Sequence, residues 1–250
     1  MGKDYLYYKY SDFLKKQYLA KVYKLPVNLP VTCPNRVNGQ GCSFCAESGT
    51  GFEAMSAEIS VTEQLMKTQE FIRRRYKAQK FIVYFQNYTN TSLPLGSLRK
   101  YMEEAAKLPD IVEIAISTRP DCIREDYLDV MEEIADTCHI SIGIELGLQT
   151  ANYHTLKEIR RGHGLAEYLD ACLRIQKRDF LLCTHAILNL PGDTLEDVME
   201  TAKIISIMGN HLVKAHSLYI ARETEMARLF ETGRLEIGTK EDYFLRLQTF

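Results

Sequence analysis

Strand-like and helix-like runs alternate six times along most of this chain, and that alternation restricts the fold more than any other feature. Strands are expected at residues 27–32, 81–85, 111–117, 139–149, 180–190 and 213–220. Helical periodicity fills the gaps. One helix opens on the capping box Ser60-Val61-Thr62-Glu63, with Val61, Leu65, Ile72 and Tyr76 on one face. Others are expected at 94–108, 124–136, 165–177 and 194–208, the last with Thr194 and Asp197 as caps. Short links between such units imply a parallel sheet with right-handed crossovers. The expected fold class is therefore α/β, a partial (β/α)6 barrel. In such folds ligands sit at the C-terminal ends of the strands. Cys33, Gln86-Asn87, Ser117–Asp121, Gln149 and Leu190-Pro191-Gly192 fall at those ends.

At 250 residues and 46% hydrophobic content, the chain can bury one sizeable core. A charged fraction of 26% without low-complexity tracts argues against disorder. No apolar stretch is long enough to span a bilayer, and the start lacks the apolar run of a signal peptide. A soluble, cytoplasmic protein is expected. Residues 1–80 carry 13 Lys/Arg against 7 Asp/Glu, and the remainder 18 against 26, which points to a basic and an acidic face.

Three of the seven cysteines crowd into Cys33-Pro-Asn-Arg-Val-Asn-Gly-Gln-Gly-Cys42-Ser-Phe-Cys45. In a cytosolic chain that crowding indicates metal or catalysis before disulfides. Three thiolates in one loop can ligate three irons of a cubane cluster and leave the fourth iron open. Pro34, Gly39 and Gly41 suit a loop folded tightly around such a group. A zinc site is the other reading. Structural zinc takes four ligands, and the next candidates, Cys122, Cys138 and His139, are remote in sequence. The cysteines favour the cluster and leave zinc open.

The cysteine loop, with Phe44 between its last two cysteines, resembles the radical S-adenosylmethionine (SAM) superfamily. Its eight-residue first gap is similar to that of the elongator catalytic subunit. Ser117-Thr118-Arg119-Pro120-Asp121, Gly147-Leu148-Gln149-Thr150 and Arg161-Gly162-His163 resemble further motifs of that subunit, in order. Asn189-Leu190-Pro191-Gly192-Asp193 resembles a turn shared with oxygen-independent coproporphyrinogen oxidase, and Ala215-His216 a further shared pair. Phe85–Thr91 and Glu145–Thr150 are similar to the bacterial YtqA/YhcC-type group.

The resemblance implies a radical SAM core over 27–220, preceded by a basic, Tyr-rich extension at 1–26. A C-terminal helical segment follows at 221–250, expected to be cut short. It implies a [4Fe–4S] cluster on Cys33, Cys42 and Cys45, with SAM as the second cofactor. SAM contacts are implied at Phe44, Gln86, Asn87, Ser117, Gln149, Arg161, His185, Leu190 and Ala215, with His216 closing the far side and Glu145 a further polar candidate. It implies reductive cleavage of SAM to a 5′-deoxyadenosyl radical, and an electron donor such as flavodoxin or ferredoxin. Read without the resemblance, Gln86 and Asn87 could satisfy loop backbone, and His185 and His216 could be hydrogen-bonded core residues.

For the substrate, the first 24 residues hold six tyrosines (Tyr5, Tyr7, Tyr8, Tyr10, Tyr18, Tyr23) and six lysines. Arg73-Arg74-Arg75-Tyr76-Lys77 forms the next basic cluster. Aromatics interleaved with cations can stack bases and neutralise phosphates. Composition alone equally fits tyrosines packed on a barrel. Together with the elongator resemblance, these segments point to tRNA as partner and tRNA modification as the reaction. The alternatives are a radical SAM enzyme acting on a small molecule such as a tetrapyrrole, and a non-catalytic metal-binding module.

Overall fold

In the computed structural model, which describes residues 8–46 and 54–250, six strands lie side by side in chain order and run parallel. They are β1 (Val22–Val27), β2 (Lys80–Phe85), β3 (Ile111–Thr118), β4 (Ser141–Gln149), β5 (Leu181–Ile187) and β6 (Leu212–His216). The helices are α1 (Tyr10–Tyr18), a single turn α2 (Pro34–Val37), α3 (Val61–Tyr76), α4 (Leu95–Ala106) and α5 (Glu125–Cys138). They continue as α6 (Tyr153–Glu158), α7 (Leu165–Ile175), α8 (Leu195–Ile207), α9 (Glu225–Glu231) and α10 (Lys240–Thr249). The expected capping residues act: Ser60 accepts from the Glu63 amide, and Thr194 and Asp197 bond reciprocally; Thr239 likewise accepts from the Asp242 amide.

The first strand is a correction. It forms at Val22–Val27, upstream of the expected 27–32. Pro26 interrupts the ladder donors there, which an edge strand tolerates. Beyond Val27 the backbone leaves the ladder. The Asn28 amide donates instead to Gln64 Oε1 at 3.0 Å, and the Gln64 amide returns a bond to the Asn28 carbonyl at 2.9 Å.

Successive strand residues point to opposite faces. The outward set includes Leu25, Val27, Phe81, Val83, Phe85, Ile114, Ile116, Ile142 and Ile144. It packs on Leu65, Leu98, Met102, Leu128, Met131, Tyr168 and Val198 of the helices to form the main core. Truncating a fully buried member such as Leu98 or Met131 removes about 2–5 kcal/mol. α10 packs on α8, and its Tyr243 and Phe250 reach the same core while Leu247 stays exposed.

The inward set is polar: Lys24, Tyr84, Ser117, Glu145, His185 and Lys214. Lys24 of β1 and Lys214 of β6 both bond Glu145 of β4, at 2.5 and 2.6 Å. A flat sheet would hold its edge strands about 24 Å apart, five spacings of about 4.8 Å. The shared carboxylate therefore requires the sheet to curl into a partial barrel. α1 packs against its inner floor: Leu14 clusters with Val22, Ile82, Tyr84 and Ala115, and the Tyr18 hydroxyl donates to Glu113 at 2.6 Å.

Three N-terminal tyrosines thus pack on the barrel. Tyr18 bonds Glu113 within it, Tyr23 stacks on Tyr76 at 5.0 Å, and the part-exposed Tyr10 ring faces Lys24. Tyr8 is exposed. Tyr5 and Tyr7 lie outside the described residues.

Candidate active site

The three cysteines follow β1 and gather at the C-terminal end of the barrel. Cys33 caps α2, its carbonyl accepting from the amides of Arg36 and Val37 at 2.8 and 3.2 Å. Gly41 sits at φ +75, and a Cβ there would stand 2.9 Å from Arg36 Cγ, so the loop needs glycine at this bend. Arg36 then clamps the far side, donating to the carbonyls of Cys45 and Ala46 at 2.5 and 2.6 Å. The Ser43 amide bonds the Ile159 carbonyl at 3.0 Å and its carbonyl takes the Met226 amide at 3.1 Å, which ties the loop to the barrel rim.

N–H and O–H donors converge on the sulfurs. Arg161 Nη1 lies 3.6 Å from Cys42 Sγ and Asn35 Nδ2 lies 3.5 Å from it. Thr89 Oγ1 approaches Cys33 Sγ at 3.5 Å and Arg119 Nη1 at 4.0 Å. Both arginines are buried. Asp121 engages Arg119 through both oxygens at 2.9 and 2.7 Å, and Arg119 also donates to the Arg161 carbonyl at 2.8 Å. Two buried guanidiniums beside three thiols suit an anionic group.

Among the described residues, the three sulfurs do not form a set lying within 4.8 Å of one another, whereas thiolates sharing one tetrahedral zinc at about 2.3 Å stand about 3.8 Å apart. Three thiolates in one loop with no fourth ligand from a neighbouring residue would leave an iron open if they held a cubane cluster.

Below the cysteines opens a cavity of about 660 Å³, walled by all six strands and the loops that follow them. Of the residues implicated by sequence, Cys33, Cys42, Cys45, Phe44, Gln86, Ser117, Glu145, Gln149, Arg161, His185 and His216 line it. Three do not. Asn87 is buried in the turn after β2. Leu190 lies in a small cluster against which Phe44 packs. Ala215 points outward to the main core, as alternation with Lys214 and His216 requires.

Local backbone geometry aims several of these groups. A bulge between Gly147 and Gln149 leaves Gln149 at φ +81, strained for a residue with a Cβ. Arg161 Nη2 donates to the Gly147 carbonyl at 2.6 Å, and a Cβ on Gly147 would stand 2.5 Å from that nitrogen. Only glycine admits this approach.

Glu145 is the hub of the inner wall. Lys24 takes Oε1, and Lys214 and His185 share Oε2, at 2.5, 2.6 and 2.8 Å. Burial opposes its charge, but the His185 bond and the two lysines hold it well below the usual carboxylate range. His185 continues to His216 at 3.2 Å, and Ser117 pairs with the Tyr84 hydroxyl at 3.0 Å. Cys183 comes near Glu145 and His185, but burial pushes its thiol up to about 12 and the lysines already occupy Glu145, so these three do not suit a metal.

Sequence reasoning missed Lys24, Tyr84, Thr89, Arg119 and Lys214 as lining residues. Arg119 stood in a quoted motif, and Lys214 beside another. Lys24 was hidden in the segment assigned to an N-terminal extension. The sequence reading offered Arg73–Arg75 as part of a tRNA contact, and the structure places them away from the cavity. Arg73 pairs with Asp110 at 2.8 Å and covers the Phe81 ring, both at the N-terminal ends of strands. Arg73–Arg75 therefore sit at the opposite end of the barrel, about 20 Å from the cysteines at strand rise.

The radical SAM superfamily model matches residues 27–205. YtqA of Bacillus subtilis is 32% identical over 240 residues, covering 95% of this chain and 74% of that protein. YhcC of Escherichia coli is 34% identical over 235 residues, covering 93% and 74%. More distantly, the tRNA-2-methylthio-N(6)-dimethylallyladenosine synthase of Ehrlichia chaffeensis is 26% identical over 169 residues, 66% of this chain and 37% of that one. Among solved structures, the archaeal Elp3 of Methanocaldococcus infernus superposes with TM-score 0.71 at 15% identity, over 92% of this chain and 53% of its own. Coproporphyrinogen III oxidase (HemN) of E. coli gives 0.61 at 14%, over 96% and 54%. The chain thus spans about half the length of these two structures, and the likeness concerns the fold. No helix among the described residues is long and apolar enough to cross a membrane. The family match, the relatives and the curled six-stranded sheet agree: the chain belongs to the radical SAM superfamily, whose enzymes work with a [4Fe–4S] cluster and SAM.

Proposed function

We propose that this chain is a radical SAM enzyme of tRNA modification. The observation that carries the radical chemistry is the set of three cysteines, ringed by Arg119, Arg161, Asn35 and Thr89, opening onto the barrel cavity. Cys33, Cys42 and Cys45 would hold a [4Fe–4S] cluster, which together with SAM would supply reductive cleavage of the S–C5′ bond to a 5′-deoxyadenosyl radical.

The chain's own residues orient and shield. Arg161 and Gln149 line the cavity with N–H donors for the carboxylate and ribose of SAM. Phe44 gives the adenine an apolar surface, backed by Leu190. Gln86 and Ser117 are polar groups of the wall available to the amino group and ribose. Asn87 and Ala215 act through the turn and the core behind that wall. The six curled strands wall the reacting centre on its sides.

The RNA part of the reading is supported by the distant tRNA-modifying relative and by the likeness in fold to Elp3. Arg73–Arg75 are remote from the cavity and serve as a control. The test is anaerobic incubation of the reconstituted protein, SAM and a flavodoxin or ferredoxin donor with tRNA from cells lacking this chain. Nucleosides are then examined by mass spectrometry. A new nucleoside, with salt-sensitive tRNA binding that survives alanine at Arg73, Arg74 and Arg75, is the expected result. No binding at low salt and no mass change would leave the small-molecule reading, such as a tetrapyrrole.

A further inference from the structure

We propose that Lys24 and Lys214 form a subsite inside the barrel for an anionic group of the substrate, a carboxylate or a phosphate. The proposal rests on the cavity being a substrate site and names the chemistry of what enters it.

The two lysines come from the two edge strands and meet only because the sheet curls. Their ammonium groups lie 4.5 and 4.6 Å from the centre of one ring, that of Tyr84. Each bonds a different oxygen of Glu145. Both line the cavity, with side chains 20% and 32% exposed. An ammonium carries three N–H donors. Lys24 spends one on Glu145 and faces Tyr10; Lys214 spends one on Glu145 and approaches the Tyr84 hydroxyl at 3.5 Å. Each keeps a donor for the cavity.

The surrounding charges do not balance these two cations. Glu145 is the one ionised partner. Burial pushes the Glu113 carboxyl up, toward its neutral form, and the Tyr18 hydroxyl bonds it. Burial raises the phenols of Tyr10 and Tyr84 and the thiol of Cys183, so none supplies a negative charge near neutral pH. Burial keeps His185 and His216 neutral. Two amino groups share this one carboxylate, and burial pushes Lys214 below its ordinary value, an effect that an anion entering between them would oppose. An unpaired buried charge is costly, and an incoming anion with charge-assisted bonds relieves that cost.

Position separates this subsite from the cofactor end. Lys24 and Lys214 stand at mid-strand, whereas the cysteines follow the strand ends. A group held between the lysines hangs into the barrel beneath the cysteine loop. A carboxylate on a small pendant group reaches that depth; a phosphate does so if it terminates the substrate.

The test uses the anaerobically reconstituted full chain, with acetate and inorganic phosphate as separate probes against chloride at constant ionic strength, read by thermal denaturation. Saturable stabilisation with a millimolar or tighter apparent Kd is expected for one of the two. Acetate alone identifies a carboxylate subsite, phosphate alone a phosphate subsite. Lys24→Gln and Lys214→Gln should each weaken binding about tenfold, a loss of about 1.4 kcal/mol. Lys214→Arg should retain it, and the surface variant Lys100→Gln should not change it. Glu145→Gln removes the competing carboxylate and should tighten binding severalfold, an outcome that a merely unfolded variant does not give. No stabilisation by either anion, or equal stabilisation of wild type and both lysine variants, overturns the subsite. SAM cleavage measured on the same samples keeps the two claims apart. Lysine-dependent anion binding without cleavage removes the radical SAM reading alone; cleavage without anion binding removes the subsite alone.

Discussion

Arg161 joins two parts of the site: one nitrogen of its guanidinium lies 3.6 Å from Cys42 Sγ while the other donates to the Gly147 carbonyl at 2.6 Å. A fixed positive charge beside a cluster thiolate favours the reduced, more negative state. Arg161→Met should therefore lower the cluster's reduction potential by some tens of millivolts, where about 59 mV is tenfold for one electron. Arg161→Lys should recover part of the shift. An EPR-monitored redox titration reads it, and an unchanged potential in Arg161→Met would contradict this role.

Gly147→Ala probes the same contact from the backbone. The new Cβ would meet Arg161 Nη2 at 2.5 Å and Gln149 Nε2 at 2.9 Å. Both are ends of flexible side chains, so stability should fall by only about 1 kcal/mol. Both must move off their present aim, and SAM affinity should fall at least tenfold. Equilibrium dialysis with SAM and urea denaturation measure the two effects. A large loss of stability with SAM binding intact would reverse the assignment.

Gln149 holds φ +81, where glycine is at ease and glutamine is strained. Gln149→Gly should raise stability by about 1 kcal/mol and weaken SAM binding, a local trade of stability for function. Equal or lower stability in the variant would show that the bulge is not under strain.

His163 makes acid stability readable. Burial, with Arg161 beside it, drives its imidazole down to about 4 from the ordinary 6.5. In the folded chain it stays neutral, while the unfolded chain takes a proton as pH falls through about 6.5. Its stabilising effect is therefore full above that pH and shrinks between about 6.5 and 4. His163→Gln keeps an amide donor for the Gly147 carbonyl and should flatten the dependence in that window. Urea midpoints across the window test it; identical slopes in both proteins would contradict it.

The outward faces of the middle strands were readable because apolar residues run through 81–85, 111–117 and 139–149 and the flanking helices carry matching periodicity. The cysteine loop stood out by its spacing, which favoured a cluster but left zinc open until the ordered motifs of the resemblance were added. β1 was displaced because Lys24 and Pro26 break the apolar pattern of Val22–Val27, whereas Val27, Leu29 and Val31 alternate with other residues in the segment after it. The lysine pair had no local signal. Lys24 and Lys214 are 190 positions apart, and only the curl of the sheet brings them to one carboxylate. The position of Arg73–Arg75 was available in principle: a crossover helix runs antiparallel to its strands, so its C-terminal end lies far from the strands' C-terminal ends.

The central claim is reductive SAM cleavage at the Cys33, Cys42 and Cys45 loop. It is tested most directly by reconstituting the protein anaerobically with iron and sulfide, adding SAM and dithionite, and quantifying 5′-deoxyadenosine by mass spectrometry beside a Cys42→Ala sample. Formation of 5′-deoxyadenosine in the wild type and its absence from Cys42→Ala is the predicted result. A colourless protein that retains zinc, takes up no iron and leaves SAM intact would contradict it.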